Sequence, residues 1–340
     1  MKLLMVACSI QAYKRMQKLK KIWTAQEDHE IIEIVKCKSL PAVSDARKLR
    51  ECVGEWFFKV DAIIFFAAAG IAVRTIAPYL QHKSKDPAVL VMDETGKFII
   101  SLLSGHAGGA NELTQQIARM SGAIPVITTA TDCEEKFAVD DFARKNHLTI
   151  LDWNLAKQIS VDILEGEEVG IFSDYEMTGV CPEELVRSKW TKRMIRISCQ
   201  DGIRNGQTLQ LIPPFVIAGI GCRKGISQEC VEEAVRQCLY EARIMPEALS
   251  AVATIDLKKN ENGLRSFCEE KHLDFFCFDA ETLNRQEGNF SESKFVKQIT
   301  GVDNVCERSA VAAGGRIICK KKIYEGVTVA LAIKKGRIVF

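Results

Sequence analysis

The chain has 340 residues, 47% of them hydrophobic and 26% charged, with a formal net charge of +2. That balance is ordinary for a globular chain, not for one disordered throughout, and supplies enough apolar material for two or three packed domains. It also excludes the broad basic field of a nucleic-acid binder, so any cationic surface must be local.

The opening run Met1-Lys2-Leu3-Leu4-Met5-Val6-Ala7-Cys8 gives way to Ser9-Ile10-Gln11. It lacks the long apolar stretch and cleavage site of a secretory leader. Nowhere do about 18 apolar residues run together as a membrane span requires. The run therefore reads as a first buried strand, in a chain expected to be cytoplasmic and to engage no membrane. A basic helical stretch follows through Trp23, and 30–36 alternates as a strand does. Residues 62–69 (AIIFFAAA) are continuously apolar, the pattern of a strand buried on both faces. A short helix is expected at 72–80, strands at 88–92 and 98–103 joined by Asp93-Glu94-Thr95-Gly96, a helix at 110–121 and a strand at 124–128.

From Cys133 to Pro214 the chain is rich in charge, with short strands at 168–172 and 193–198. Pro213-Pro214 marks a boundary, since neither residue can donate to a ladder. Beyond it, strands are expected at 215–220, within 248–257, and at 275–279, 316–319 and 328–333, with a helix at 228–242. The fold class is α/β. A mostly parallel N-terminal α/β domain (1–133), a small middle region (134–214) and a C-terminal α/β domain (215–340) are expected, with a ligand cleft between domains.

The thirteen cysteines include no Cys-x-x-Cys pair, and Cys222, Cys230 and Cys238 recur at the spacing of a helix face. Zinc and iron–sulfur sites gather thiolates from close pairs. No metal site and no resident cofactor are expected, and the thiols read as small reduced hydrophobes.

The densest polar constellation is Ser101-Leu102-Leu103-Ser104-Gly105-His106-Ala107-Gly108-Gly109-Ala110-Asn111-Glu112. A buried strand enters a glycine-rich turn that opens a helix, where backbone can approach a ligand and helix-start amides face an anion. Within it, His106 could be a base, an acid, or a ligand to a metal in the substrate. The plainer alternative is a tight turn with a capping Asn111 and an exposed His106. Around it, Gly70, Arg74, Lys83, Asp93, Thr129 and Asp132 follow or precede strands and could rim a crevice, with Arg74 and Lys83 as carboxylate clamps. The second domain repeats this with Gly219-Ile220-Gly221-Cys222-Arg223-Lys224-Gly225, one residue too long for a dinucleotide fingerprint but with a cation in the loop. Thr254, Asp256, Lys258 and Glu261 follow another strand, and Cys306-Glu307 and Lys320-Lys321-Lys322 complete the polar clusters.

These residues resemble the cobalt-precorrin-5A hydrolase family, CbiG. The resemblance rests on Gly70-x-x-x-Arg74-x-x-Ala77-Pro78, Asp86-Pro87-Ala88-Val89, Asp93-Glu94-x-Gly96, the Ser101 to Glu112 block and Pro125-Val126-Ile127-Thr128-Thr129-Ala130-Thr131-Asp132. The C-terminal domain, through Gly219-Ile220-Gly221-Cys222-Arg223-x-Gly225, Thr254-Ile255-Asp256-x-Lys258 and Thr328-Val329-Ala330, is similar to the CobE-type domain. The resemblance implies an enzyme of anaerobic cobalamin biosynthesis. Its substrate would be a cobalt-precorrin tetrapyrrole that carries its own cobalt. The reaction would open a δ-lactone, release acetaldehyde and yield cobalt-precorrin-5B. In that chemistry His106 or Glu112 is the expected general base. The turn Gly105, Gly108, Gly109 and Asn111 binds the oxyanion, with the Gly108 and Gly109 amides as donors. Arg74, Lys83, Asp93, Thr129, Asp132, Arg223, Lys258 and Glu307 are expected to bind substrate. Two further readings remain: His106 ligating the substrate's cobalt, and a non-catalytic tetrapyrrole carrier. Transient contact with other corrin-pathway enzymes and a homodimer are compatible partners.

Overall fold

The structure, a computed structural model, describes residues 1–24, 30–134, 136–187, 189–202 and 205–340, with Asp132 and Cys133 described by their backbone alone. The chain divides into two compact units, Met1–Arg144 with Ser160–Glu167, and Lys145–Ile159 with Glu168–Phe340. The mixed α/β architecture expected from alternating elements is present in both.

In the first unit β1 (Lys2–Ala7), β2 (Glu30–Val35), β3 (Ala62–Phe66), β4 (Ala88–Met92), β5 (Phe98–Leu103) and β6 (Ile124–Val126) form one sheet in the order β2-β1-β3-β4-β5-β6. The first four run parallel, β5 is antiparallel to β4, and β6 is parallel to β5. The helices along this stretch are α1 (Ile10–Thr24), α2 (Leu49–Trp56), α3 (Ala69–Ile76), α4 (Ala110–Ser121), α5 (Ala130–Cys133) and α6 (Val139–Lys145). Side chains alternate across a strand. Leu3, Met5, Ile64, Phe66 and Leu90 therefore pack with Met16, Trp23 and Ile117 on one face. Leu4, Val6, Ile63, Phe65 and Val91 pack with Val53, Phe57, Ala72 and Ile76 on the other. Both faces are covered, which is why these strands read as unbroken apolar runs.

The reversal at β5 positions the candidate site. After β4 the Asp93 carboxylate accepts the Thr95 and Phe98 amides, at 3.1 and 2.6 Å, and Gly96 turns the chain with φ at 71°. The strand doubles back until Leu103 lies opposite Val89. The glycine-rich turn consequently opens where β4 begins. Asp93 sits where β4 ends, so one crevice at the ends of successive strands does not gather both.

In the second unit the strands are β7 (Thr149–Ile150), β8 (Val169–Ser173), β9 (Glu176–Thr178), β10 (Leu185–Arg187), β11 (Met194–Ile197), β12 (Thr208–Ile212), β13 (Val216–Cys222), β14 (Leu249–Ile255), β15 (Asp274–Phe278), β16 (Gly315–Tyr324), β17 (Val327–Lys334) and β18 (Arg337–Val339). The middle region builds a sheet of its own, β10-β8-β11-β12-β7, in which only β7 is antiparallel. The other sheet, β15-β14-β13-β17-β16, has three parallel strands followed by two antiparallel ones. Strand β18 pairs with β9. The helices along this part of the chain are α7 (Trp153–Leu164), which belongs to the first unit from Ser160 on, α8 (Gln228–Glu241), α9 (Asn262–Lys271), α10 (Ala280–Asn284), α11 (Lys294–Thr300) and α12 (Val305–Ala312). Small residues, Ala251, Ala253 and Ala332, face Ala310 of α12. They let the helix lie close: a Cβ on Gly219 would sit 1.8 Å from the Cys306 carbonyl oxygen. Among the described residues no helix is long and apolar enough to cross a membrane.

Candidate active site

The turn after β5 is built by close backbone approach. Ser104 takes a positive φ of 57°, and its buried hydroxyl donates to the Asp86 carbonyl oxygen at 3.0 Å. At Gly105 a Cβ would lie 2.8 Å from Asn111 Oδ1, and at Gly108 2.5 Å from the Ser104 Cβ. The glycines are thus required by the chain's own packing. The amides of Gly109, Ala110 and Asn111 donate to the carbonyls of His106, Ser104 and Gly105 at 3.0, 3.1 and 2.9 Å. The Gly109 amide is therefore already committed. Of the expected donor pair, only the Gly108 amide has no acceptor among the described residues.

His106 projects from this turn into a line of polar groups. The Thr131 hydroxyl is 3.4 Å from its Nε2. Its Nδ1 is 3.3 Å from one Asp140 carboxylate oxygen, and Lys83 Nζ is 3.1 Å from the other. The His106 and Asp140 side chains are only 10% and 12% exposed. Burial pushes the Asp140 carboxyl up, but the His106 hydrogen bond and charge, with Lys83, outweigh it and hold it down at about 2. An ionised carboxylate can only accept, which assigns the imidazole proton to Nδ1 and leaves Nε2 as the basic nitrogen. Alongside, Asn111 is buried in the first turn of α4 instead of capping it. Its side chain accepts from the Ser101 hydroxyl at 2.6 Å and donates to the Thr129 hydroxyl at 2.9 Å.

Of the expected site residues, His106, Asn111, Thr129 and Lys83 come together here. Lys83 is engaged with Asp140 and is not an open clamp. Glu112 points elsewhere: its carboxylate is held at 2.5 Å by Arg144, which also binds Asp141 at 2.9 Å. Arg74 lies exposed on α3, with its guanidinium donating to the Gly70 carbonyl at 3.3 Å. Asp132 belongs to α5, and its side chain lies outside the described residues. The sequence reading missed Asp140, which sits beyond the expected boundary at 133. Its signal was the acidic first turn of α6, Asp140-Asp141.

In the second unit Arg223 and Lys258 line one pocket of about 490 Å³ with Cys222, Thr328, Phe295 and Ile299. The loop expected to receive an anion already holds one from the chain. Glu261 accepts the Gly225 amide at 2.8 Å and pairs with Lys258 at 3.3 Å. The main cause acting on the Cys222 thiol is burial, which raises it to about 11. Glu307 corrects an expectation: it is fully buried. It accepts the Ser291 amide and hydroxyl at 3.0 and 2.9 Å and the Lys321 amide at 2.7 Å. Its oxygens organise backbone and do not face a ligand. Among the described residues, no group of three His, Cys, Asp or Glu side chains gathers to hold a metal ion.

Fold and site together describe an α/β protein in which a largely buried histidine of a glycine-rich turn pairs with an aspartate on α6. Residues 51–132 match the family model described as Cobalamin synthesis G N-terminal, and residues 216–332 match Cobalamin synthesis G C-terminus. The chain is 36% identical over 291 residues to the Cobalt-precorrin-5A hydrolase of Salmonella typhimurium, covering 82% of this chain and 83% of that protein. It is 29% identical to the Cobalt-precorrin-5A hydrolase of Priestia megaterium, over 82% of this chain and 79% of that protein. Protein CobE of Sinorhizobium sp is 26% identical over 34% of this chain and 79% of its own length. The chain belongs to the cobalamin synthesis G family.

Proposed function

We propose that this chain hydrolyses cobalt-precorrin-5A, opening its δ-lactone and releasing acetaldehyde to give cobalt-precorrin-5B. The observation that carries this reading is identity to the Salmonella enzyme over four-fifths of both chains, joined by a His106–Asp140 pair suited to activating water. Water attacks the lactone carbonyl while His106 Nε2 takes its proton. The Gly108 amide donates to the developing oxyanion, an interaction typically worth roughly 3–4 kcal/mol in the transition state. Collapse expels the ring-opened alkoxide, which takes up a proton. Loss of that hydroxyl proton then breaks the adjacent carbon–carbon bond. The carbon bearing the oxygen leaves as acetaldehyde, and the electron pair passes into the cobalt-bound macrocycle, which is protonated in turn.

His106 is the better base than Glu112, because Arg144 neutralises the glutamate. Arg223 serves the substrate's carboxylate arms, Lys258 does so only by exchanging its pairing with Glu261, and the cobalt arrives with the substrate. Incubating the purified chain with cobalt-precorrin-5A under anaerobic conditions should release acetaldehyde in step with product. Tight binding without aldehyde would replace this reading with that of a carrier.

A further inference from the structure

A cavity of the second unit, about 1060 Å³, is lined by residues other than Arg223 and Lys258. Its wall is formed by β16, the end of β17 and the segment leading into β18, which supply Arg316, Lys334, Lys335 and Arg337. Two acids also line it, and both are engaged. Asp174 accepts the Ser198 hydroxyl at 2.5 Å, and Glu176 pairs with Arg337 at 3.4 Å. Arg316, Lys334 and Lys335 have no carboxylate partner among the described residues, although Lys334 lies over the Phe215 ring at 6.0 Å. The lining therefore carries four cations against two carboxylates, a net charge of +2, because the hydroxyl bond to Asp174 leaves that carboxylate charged. Ile318, Ile333 and Ile244 give it an apolar surface between them.

We infer that this cavity binds a polycarboxylate of macrocycle size, its carboxylate arms on Arg316, Lys334 and Lys335 and its apolar body against the isoleucines. Dispersed cations around an apolar floor suit dispersed carboxylates, and the volume suits a body larger than a single sugar or nucleotide. A compact phosphate fits poorly. Ala242, which lines the cavity, is the C-cap of α8, so the helix dipole opposes any anion there and the attraction rests on the side-chain cations. The tetrapyrrole identity of the ligand rests on the proposed function, whereas the charge and shape of the site do not.

The test is a fluorescence titration of the full chain with uroporphyrin, an octacarboxylate macrocycle. Replacing Arg316, Lys334 and Lys335 together by Ala should weaken binding about tenfold, since each exposed pair is individually weak. Added salt should weaken the parent chain and affect the triple variant much less. The charge-keeping triple Arg316→Lys, Lys334→Arg, Lys335→Arg should bind as the parent does, with an unchanged melting temperature in both variants as the control for folding. Parent-like binding by the alanine triple would overturn the site, and so would equal competition by inorganic phosphate. The acetaldehyde assay on the parent chain separates the two readings. Aldehyde release together with unchanged binding by the alanine triple removes the cavity alone. Lost binding by that variant, in a chain that makes no aldehyde, keeps the cavity and removes the hydrolase.

Discussion

His106 is held on both ring nitrogens, by Asp140 at Nδ1 and by Thr131 near Nε2. Asp140→Asn keeps the size of the partner but can donate to Nδ1, which favours the wrong tautomer. Turnover should fall by about 10²- to 10⁴-fold with little change in KM, the range expected when a general base is lost. His106→Ala should fall as far, and Glu112→Gln should stay near the parent. Wild-type turnover in both His106→Ala and Asp140→Asn would remove the pair from the reaction. The same carboxyl predicts a pH effect on stability. Held at about 2 when folded, against about 3.9 when unfolded, it contributes stability above about pH 4 that is lost as pH falls toward 2. Urea midpoints of the parent should drop through that window more steeply than those of Asp140→Asn. His106 and Asn111 were legible in the sequence because glycines announced their turn. Asp140 was not, because its partnership depends on α6 folding back on a turn far earlier in the chain. Glu307 misled for the same reason. A polar Cys-Glu step looks exposed until Ser291 and the Lys321 amide are seen to close on it.

At the level of elements, the turn before α4 depends on the absence of side chains. Gly108→Ala would place a methyl 2.5 Å from the Ser104 Cβ, and the crowding should cost about 1–3 kcal/mol. A lower melting temperature together with reduced turnover is expected; an unchanged melting temperature would show that the turn can relax. A second test concerns β16. A hydrogen bond from Cys238 is the main cause holding the Cys319 thiol below its usual range, with burial opposing it and Lys322 assisting. Most other cysteines here are pushed up by burial. Brief alkylation near neutral pH, read by peptide mass spectrometry, should label Cys319 ahead of Cys222 and Cys268. The parallel core of the first unit was readable from apolar runs. The consequence of its hairpin was not, although Asp93-Glu94-Thr95-Gly96 signalled the turn. Reading the strands as successive parallel edges placed Asp93 beside His106, and the antiparallel β5 carries them to opposite ends of β4.

At the scale of the whole molecule, the middle region was the least legible. Its strands are two to five residues long, too short for alternation to establish a pattern, yet they assemble into a largely parallel sheet. The C-terminal strand β18 then pairs with β9, with Ile338 fully buried, a contact no local signal announces. The cysteines were more telling in their spacing: with no close pairs, they were expected to pack as hydrophobes. Cys52, Cys238, Cys268 and Cys306 are buried as free thiols, distributed over different helices. On the proposed function the cobalt arrives with the substrate, and the protein would supply no second metal. Chain purified without an affinity-tag metal should contain zinc, iron and cobalt well below one equivalent by elemental analysis, and chelator treatment should leave acetaldehyde release unchanged. A metal retained near one equivalent after chelation, with activity that tracks it, would mean that thiolates or imidazoles gather in a way their spacing does not foretell, and the water-activating role would pass from His106 to that ion.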